Sequence, residues 1–553
     1  MNVSFKIQRR SRRGGLGAVY VACMMAAAPL FPAEQALAQS SNIKALAEAV
    51  GAPSSDARGP AEGAPRFEGT LNVATDREHP HFDPHLTTTN HVIEISNHVT
   101  EALFTLGAKG TPEPSLAESY EVSEDGKIYT IKIRSGVKMH NGDVLASSDV
   151  VASLNRYLTY GTYGRREVAA NVASVDAVDD LTVKITLNER FPFILYQLSA
   201  PIGGGPFIYP KELIEEVEGS PITQPIGTGP YRFVSYRKNV SVVLERFEDY
   251  VGREEAPSGF AGGRVAYFDR IVEHYVADEA VRVAGLQTGE YQIAVNITPD
   301  LYELYKDDPA IRPRVVLATW PCFNFNKQSG PMTDQRVREA FRLAIDVSQI
   351  APALGPDEFV SMDPALVFQG SPWFSEVGDE IYRSQDMARA QALLQESDYD
   401  GLPIRILVNP SRPHIYTPAV IAQPMLEEAG FSVELVPVDS ATYSEFRSDP
   451  NRMDVFSCAY SPRQDPTLMV ALGARHPGWW DTEEKTRLIT EMQTTDDMEV
   501  RYAAWEELQR HFYEYVPLMK IANLAQLHLE SADYSGAWYE VAQRYYLNTW
   551  SNE

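Results

Sequence analysis

Residues 112–157 read PEPSLAESYEVSEDGKIYTIKIRSGVKMHNGDVLASSDVVASLNRY. Within them 127–134 alternates, with Tyr129, Ile131 and Ile133 on one face and Thr130, Lys132 and Arg134 mostly on the other. That period of two is the pattern of a half-buried strand. Glu124-Asp125-Gly126 before it makes a tight hairpin turn, since Gly accepts positive φ without steric cost, and Asn141-Gly142 makes a second turn in the same way. Ser147-Ser148-Asp149 then offers a helix cap and a first-turn carboxylate, followed by an apolar stripe of Val150, Val151, Leu154 and Leu158. Periodicity alone yields a β-meander running into a helix.

The surrounding chain is long. At 553 residues it exceeds what one core accommodates, so two or three lobes are expected. Hydrophobic content of 44% and charged content of 22% are those of an ordinary soluble protein, and a formal net charge of −26 argues against nucleic acid or an anionic membrane surface as a partner. Lys6, Arg9, Arg10, Arg12 and Arg13 precede an apolar run at 16–30, and Ala36-Leu37-Ala38 supplies small residues for cleavage before Gln39. Residues 1–38 are therefore expected to be a signal peptide, cleaved after Ala38, of an exported protein. Ordinary secretion is favoured over twin-arginine export, since Gly14-Gly15-Leu16 continues Ser11-Arg12-Arg13 poorly. Residues 39–66, rich in Ala, Gly, Pro and Ser, read as a flexible leader. No later apolar run is long enough to span a bilayer.

Further along, Phe82-Asp83-Pro84-His85 is followed by a helical stretch through Leu103. His79, His81, His85, His91 and His98 crowd one short segment, yet their spacing fits no compact metal motif and no metal site is expected. The run Pro225-Ile226-Gly227-Thr228-Gly229-Pro230-Tyr231 has a phosphate-loop look but lacks the following Lys-Ser/Thr and leads into a strand. Thr333-Asp334 caps a helix with Val337, Ala340, Phe341, Ala344 and Ile345 inward and Arg336, Arg338, Glu339 and Arg342 outward. Strands at 404–408 and 431–436 flank a helix begun by Thr417-Pro418, a βαβ unit with a parallel pair. Pro424 should kink that helix. A buried strand at 453–460 feeds Ser461-Pro462-Arg463-Gln464-Asp465-Pro466. Cys322 and Cys458 sit in apolar strand-like runs, where a disulfide and two buried thiols are both open readings. No hydrolase, zincin or nucleotide-binding motif is present, and no pair of acids stands out for catalysis.

Leu116-Ala117, Ser119, Asp125-Gly126, Tyr129-Thr130, Arg134, Gly136-Val137 and His140-Asn141-Gly142, with the 82–85 and 225–231 runs, resemble extracytoplasmic solute-binding proteins of the peptide/nickel type. Met139 stands where that family usually has an aromatic. The resemblance covers about residues 68–540. It implies an α/β, two-lobed, hinged periplasmic-binding-protein ("Venus flytrap") fold with an additional inserted domain. The expected division is domain I at 67–110, 223–312 and 526–553, inserted domain II at 111–222, and domain III at 313–525. It further implies a monomer that is not an enzyme and needs no cofactor. Such a protein closes on a small organic solute (peptide-like, opine-like or sugar-containing) and presents it to ABC permease and ATPase subunits.

In peptide-binding relatives an Asp three residues before an acidic-Pro pair holds the peptide ammonium. Here that pair is Asp465-Pro466, Pro462 takes the place of the anchor, and Arg463 stands between. Arg463 either meets a carboxylate or polyhydroxyl ligand through its guanidinium fork, or faces solvent or Asp465. The candidate ligand set is Asn90, His91, Trp320, Phe323, Arg412, His414, Tyr460, Ser461, Arg463 and Asp465, with Trp479-Trp480 as further aromatics. The competing readings are an exported hydrolase acting on carbohydrate or acidic substrates and a carrier of metal or metal chelates.

Overall fold

Two strands carry the chain between the lobes. The computed structural model describes residues 67–551 apart from 88, 200–203, 370, 462, 464, 541 and 542, so the expected signal peptide and leader lie outside it. Ile311–Phe325 and Asn523–Ser531 run antiparallel, from Ile311 opposite Ser531 to Thr319 opposite Leu524. Beyond that point the first strand changes partners, pairing with Val455–Tyr460 on one side and Leu518–Lys520 on the other. A single sheet of twelve strands results. Its main path runs Val433–Pro437, Ile404–Val408, Val455–Tyr460, Ile311–Phe325, Asn523–Ser531, Ile293–Ile297, Thr70–Thr75, Arg270–Tyr275, Ser241–Arg246 and Tyr231–Arg237. The molecule is a two-lobed α/β protein, with one lobe on each side of the crossing strands.

The crossing strand alternates between two cores. Trp320 and Cys322 join Leu407, Phe456, Trp373 and Trp505, while Phe323 and Phe325 join Phe341, Ile406 and Val455 on the other face. A strand covered on both faces reads as a continuous apolar run, as 320–325 does. The expected βαβ unit is present, with Ile404–Val408 parallel to Val433–Pro437. Its helix, however, is Pro413–Glu428, begun four residues earlier than the sequence suggests. Pro413 takes the tolerated first position, and Pro418 and Pro424 both lie inside the helix.

The 112–157 stretch forms a separate antiparallel sheet, Ala117–Val122, Ile128–Ile133, Thr182–Leu187 and Val172–Asp179 in spatial order. Tyr129, Ile131 and Ile133 face inward and pack with Val150, Leu154 and Tyr157 of helix Ser147–Tyr160. Burial of each such side chain contributes about 1.5–3 kcal/mol. The two serines lie inside that helix and do not cap it. Asp149 reaches back instead, its Oδ2 accepting from the Ala146 N–H at 2.9 Å. Helix Gln335–Ala344 begins at Asp334 as expected, but two of its presumed outward arginines are buried. Arg338 donates to the carbonyls of Met332, Thr333, Tyr515 and Val516, and Arg342 to those of Ile381 and Ser384. A guanidinium carries enough donors to satisfy several chain ends at once, which makes its burial tolerable.

The glycines at 227 and 229 serve packing. A Cβ on Gly227 would lie 2.2 Å from the Val99 carbonyl oxygen, and one on Gly229 would lie 2.5 Å from that of His98. Gly229 N–H donates to Val99 O, so the run is pressed onto the end of helix Asn90–Val99 and leads into strand Tyr231–Arg237.

Candidate ligand-binding cleft

Sheet register places the carboxyl-end edges of the two lobes' parallel strands opposite one another. In the first lobe Thr70–Thr75 runs parallel to Arg270–Tyr275 and Ile293–Ile297. Ile297, near the carboxyl end, pairs with Leu527, while Ile293 pairs with Glu530 further from the crossing. In the second lobe the parallel strands Ile404–Val408 and Val455–Tyr460 end at Val408 and at Tyr460, and Tyr460 pairs with Trp320. The carboxyl ends of both parallel sets therefore point at the crossing strands from opposite sides. Open α/β sheets bind ligands at such ends.

On the first-lobe edge, Asp76 and Arg77 follow directly on Thr75, with their carboxylate and guanidinium 4.0 Å apart. Asn296, held at φ +53, donates its side-chain amide to Asp76 at 2.6 Å and its backbone N–H to His528 at 3.1 Å. Asn90 opens helix Asn90–Val99 and is half-buried. His91 lies beside it, 5.2 Å ring to ring from His79, and its Nε2 finds no partner among the described residues. Burial pushes the His91 pKa down to about 4, reinforced by His79 and Arg77. Beneath lies an ionic cluster in which Arg544 holds Glu94 at 2.5 Å and Glu273 at 3.7 Å, with His79 3.4 Å from Glu273.

The other histidines of that segment have structural partners. His85 contacts the Phe207 carbonyl at 2.9 Å and Arg156 at 3.0 Å, while Arg156 grips Asp83 with both terminal nitrogens. His98 spans Glu94 O and Tyr546 N. Among the described residues, no group of three or more His, Cys, Asp or Glu side chains is placed to hold a metal ion.

On the second-lobe edge, Arg412 is the exposed residue preceding helix Pro413–Glu428, and His414 in its first turn is half-buried. Burial, and then Arg412, lower the His414 pKa. Trp320 is fully buried against Tyr460, its indole N–H without an acceptor among the described residues. Tyr460 turns its hydroxyl inward to Asn324 and His476, at 2.8 and 2.9 Å. Thr319 donates to the Tyr460 carbonyl at 2.9 Å, fastening the crossing strand to the loop that follows. Phe323 points to the opposite core, edge-on to Phe341. Trp480 is buried against Tyr515 and His511, with Trp479 at φ +50 beside it.

Ser461 and Arg463 are half-buried. Burial lowers the Arg463 pKa, and the charge of Tyr163 opposes that effect. Asp465 is fully buried. It caps the short helix Pro466–Leu468 through Thr467 N–H and pairs with Arg501. The guanidinium of Arg501 lies over the rings of Tyr196, Trp373 and Phe193 at 4.4, 4.9 and 5.4 Å.

Sequence reasoning passed over Asp76, Arg77, Asn296 and Arg501. The first two were within reach, since they directly follow a strand that starts the fold. Arg501 carries no local signal, lying in the first turn of helix Met498–Tyr515 and 36 residues from its partner.

The family model for bacterial extracellular solute-binding proteins, family 5, matches residues 111–491. The chain belongs to that family. It is 27% identical over 469 residues to a probable peptide ABC transporter periplasmic-binding protein of Sinorhizobium fredii, covering 79% of this chain and 85% of that one. It is 25% identical over 514 residues to di/tripeptide-binding protein 2 of Pseudomonas aeruginosa, covering 84% and 92%. Among solved structures, the dipeptide-binding protein of Pseudoalteromonas sp. SM9913 in complex with Met-Leu superposes with a TM-score of 0.73 at 20% identity, covering 87% of this chain and all of that one. The binding protein AgaA of A. tumefaciens R10 with agropinic acid gives 0.69 at 21% identity, covering 84% and 94%. Family 5 membership supports capture of a solute for import over an exported hydrolase.

Proposed function

We propose that this family 5 protein is the periplasmic binding component of an ABC importer, and that it closes on a short peptide or a carboxylate-bearing amino-acid conjugate. The observation that carries the reading is the facing of the two carboxyl-end edges across the crossing strands, with Arg77 on one edge and Arg412 and Arg463 on the other. Guanidinium groups receive carboxylates in a two-pronged geometry that a neutral sugar does not match. Relatives named for peptides and di/tripeptides, and a structural neighbour holding agropinic acid, belong to the same chemical range.

In this reading domain I comprises 67–110, 223–312 and 526–553, domain II 111–222, and domain III 313–525. Sheet topology supports the division, since the chain changes lobes along the two paired strands. Closure about those strands selects the bound state because only then do both edges touch the solute. Residues 1–38 direct export and are removed after Ala38. The monomer then delivers its cargo to permease and ATPase subunits, and it performs no catalysis itself.

Native mass spectrometry of the exported protein, followed by thermal shifts with dipeptides, tripeptides, opine-like conjugates, sugars and nickel chelates, tests the reading. A co-purified carboxylate-bearing solute and a raised melting midpoint with its class are expected. Shifts with sugars or nickel chelates alone, or no shift with any class, would overturn it.

A further inference from the structure

Cys322 lies on the crossing strand Ile311–Phe325 and Cys458 on Val455–Tyr460, and the two are direct register partners of an antiparallel pair. Their Sγ atoms are 2.8 Å apart, inside van der Waals contact, and the side chains are 0% and 4% exposed. Facing residues in such a pair have Cα atoms roughly 4.5–5.5 Å apart, within the span of about 4.4–6.8 Å that a disulfide bridges without backbone movement. Trp320 and Tyr460, two residues along each strand on the same face, stand ring to ring immediately beyond.

We propose that Cys322 and Cys458 are joined as a cross-strand disulfide in the exported protein, a covalent tie beneath the second-lobe edge of the cleft. The order of events follows from burial. Once the core is closed, oxidants are excluded, and burial raises the Cys322 thiol so that little nucleophilic thiolate forms. The bond therefore forms during folding, while the strands are still reachable. One cysteine thiolate attacks a disulfide of an oxidising protein or small molecule, giving a mixed disulfide. The second cysteine then attacks the bridged sulfur, the S–S bond forms between them, and the oxidant leaves as a dithiol carrying the two electrons and two protons. Closing a loop across a sequence separation of 136 residues removes much conformational freedom from the unfolded chain. The same core then shields the bond from reductants.

The test uses the full chain, both as exported by cells and as reduced protein refolded in a mixture of oxidised and reduced glutathione. Each sample is denatured in an alkylating reagent without reductant, digested and mass-mapped. The Cys322 and Cys458 peptides are expected as one linked species, lighter by two hydrogen atoms than their sum, and as two alkylated peptides once reductant is added. Oxidised protein should also melt several degrees above the same chain reduced and refolded under reductant, on the order expected for a long closed loop. Recovery of both cysteines alkylated without reductant, in either sample, would overturn the proposal.

Discussion

Arg501 holds Asp465 in an ion pair at 2.5 Å with both side chains almost fully excluded from water. The pair joins helix Met498–Tyr515 to the chain that follows strand Val455–Tyr460, and the guanidinium is stacked on Tyr196 and Phe193. Removing one partner leaves the other charge buried without compensation. Arg501→Ala should therefore cost about 3–5 kcal/mol in urea unfolding, with Asp465→Asn costing less because its amide keeps a polar contact. A loss below about 1 kcal/mol for Arg501→Ala would show that the aromatic shell, and not the charge, secures the loop.

Arg463 sits two residues before Asp465 and is half-buried. If it receives the solute's carboxylate, Arg463→Ala should weaken binding roughly 10–100-fold, the worth of a hydrogen-bonded charge, while the urea midpoint moves less than for Arg501→Ala. Lysine should restore only part of the affinity, because it lacks the planar fork. Isothermal titration with the solute found by native mass spectrometry reads the effect. Unchanged affinity would exclude Arg463 from carboxylate recognition.

Much of the fold was readable because local signals and tertiary packing agree. Strand Ile404–Val408, the parallel partner Val433–Pro437 and the Asp334 cap all carry period or turn chemistry within a few residues. Readings failed where a side chain's role is fixed by distant chain ends. Arg338 and Arg342 resemble a solvated helix face in sequence, yet they satisfy carbonyls up to 178 residues away. Phe323 and Trp320 read alike in sequence, because a strand buried on both faces carries no mark of which core each side chain joins. Asp465 lies two residues after Arg463, yet its partner is Arg501, 36 residues on, which no local pattern signals.

Gly227 and Gly229 offer a steric prediction independent of any ligand. Neither requires a left-handed backbone, and both lack room for a methyl group against the end of helix Asn90–Val99. Gly227→Ala should destabilise by about 1–3 kcal/mol through overpacking, since the obstacle is main-chain carbonyl and cannot rotate aside. Urea denaturation read by tryptophan fluorescence measures it. A neutral substitution would mean that the 225–230 run can lift off the helix without loss.

Acid sensitivity provides a last prediction. His85, His98 and His140 are each pushed down to about 4, with burial the largest cause in every case. In the unfolded chain these imidazoles titrate near 6.5, so between pH 6.5 and 4 the unfolded state binds more protons than the native one. Stability is then fully present above pH 6.5 and is lost as pH falls toward 4, before most carboxylates protonate. The fully buried His98 alone contributes on the order of 1–3 kcal/mol across that window. Its Nδ1 contacts Glu94 O and its Nε2 receives Tyr546 N–H, so charging the ring abolishes the second contact. The melting midpoint should drop between pH 7 and 5, and His98→Gln, though less stable at pH 7, should show a shallower drop. An unchanged slope in that variant would mean that His98 takes its proton in the native state as readily as in the unfolded one.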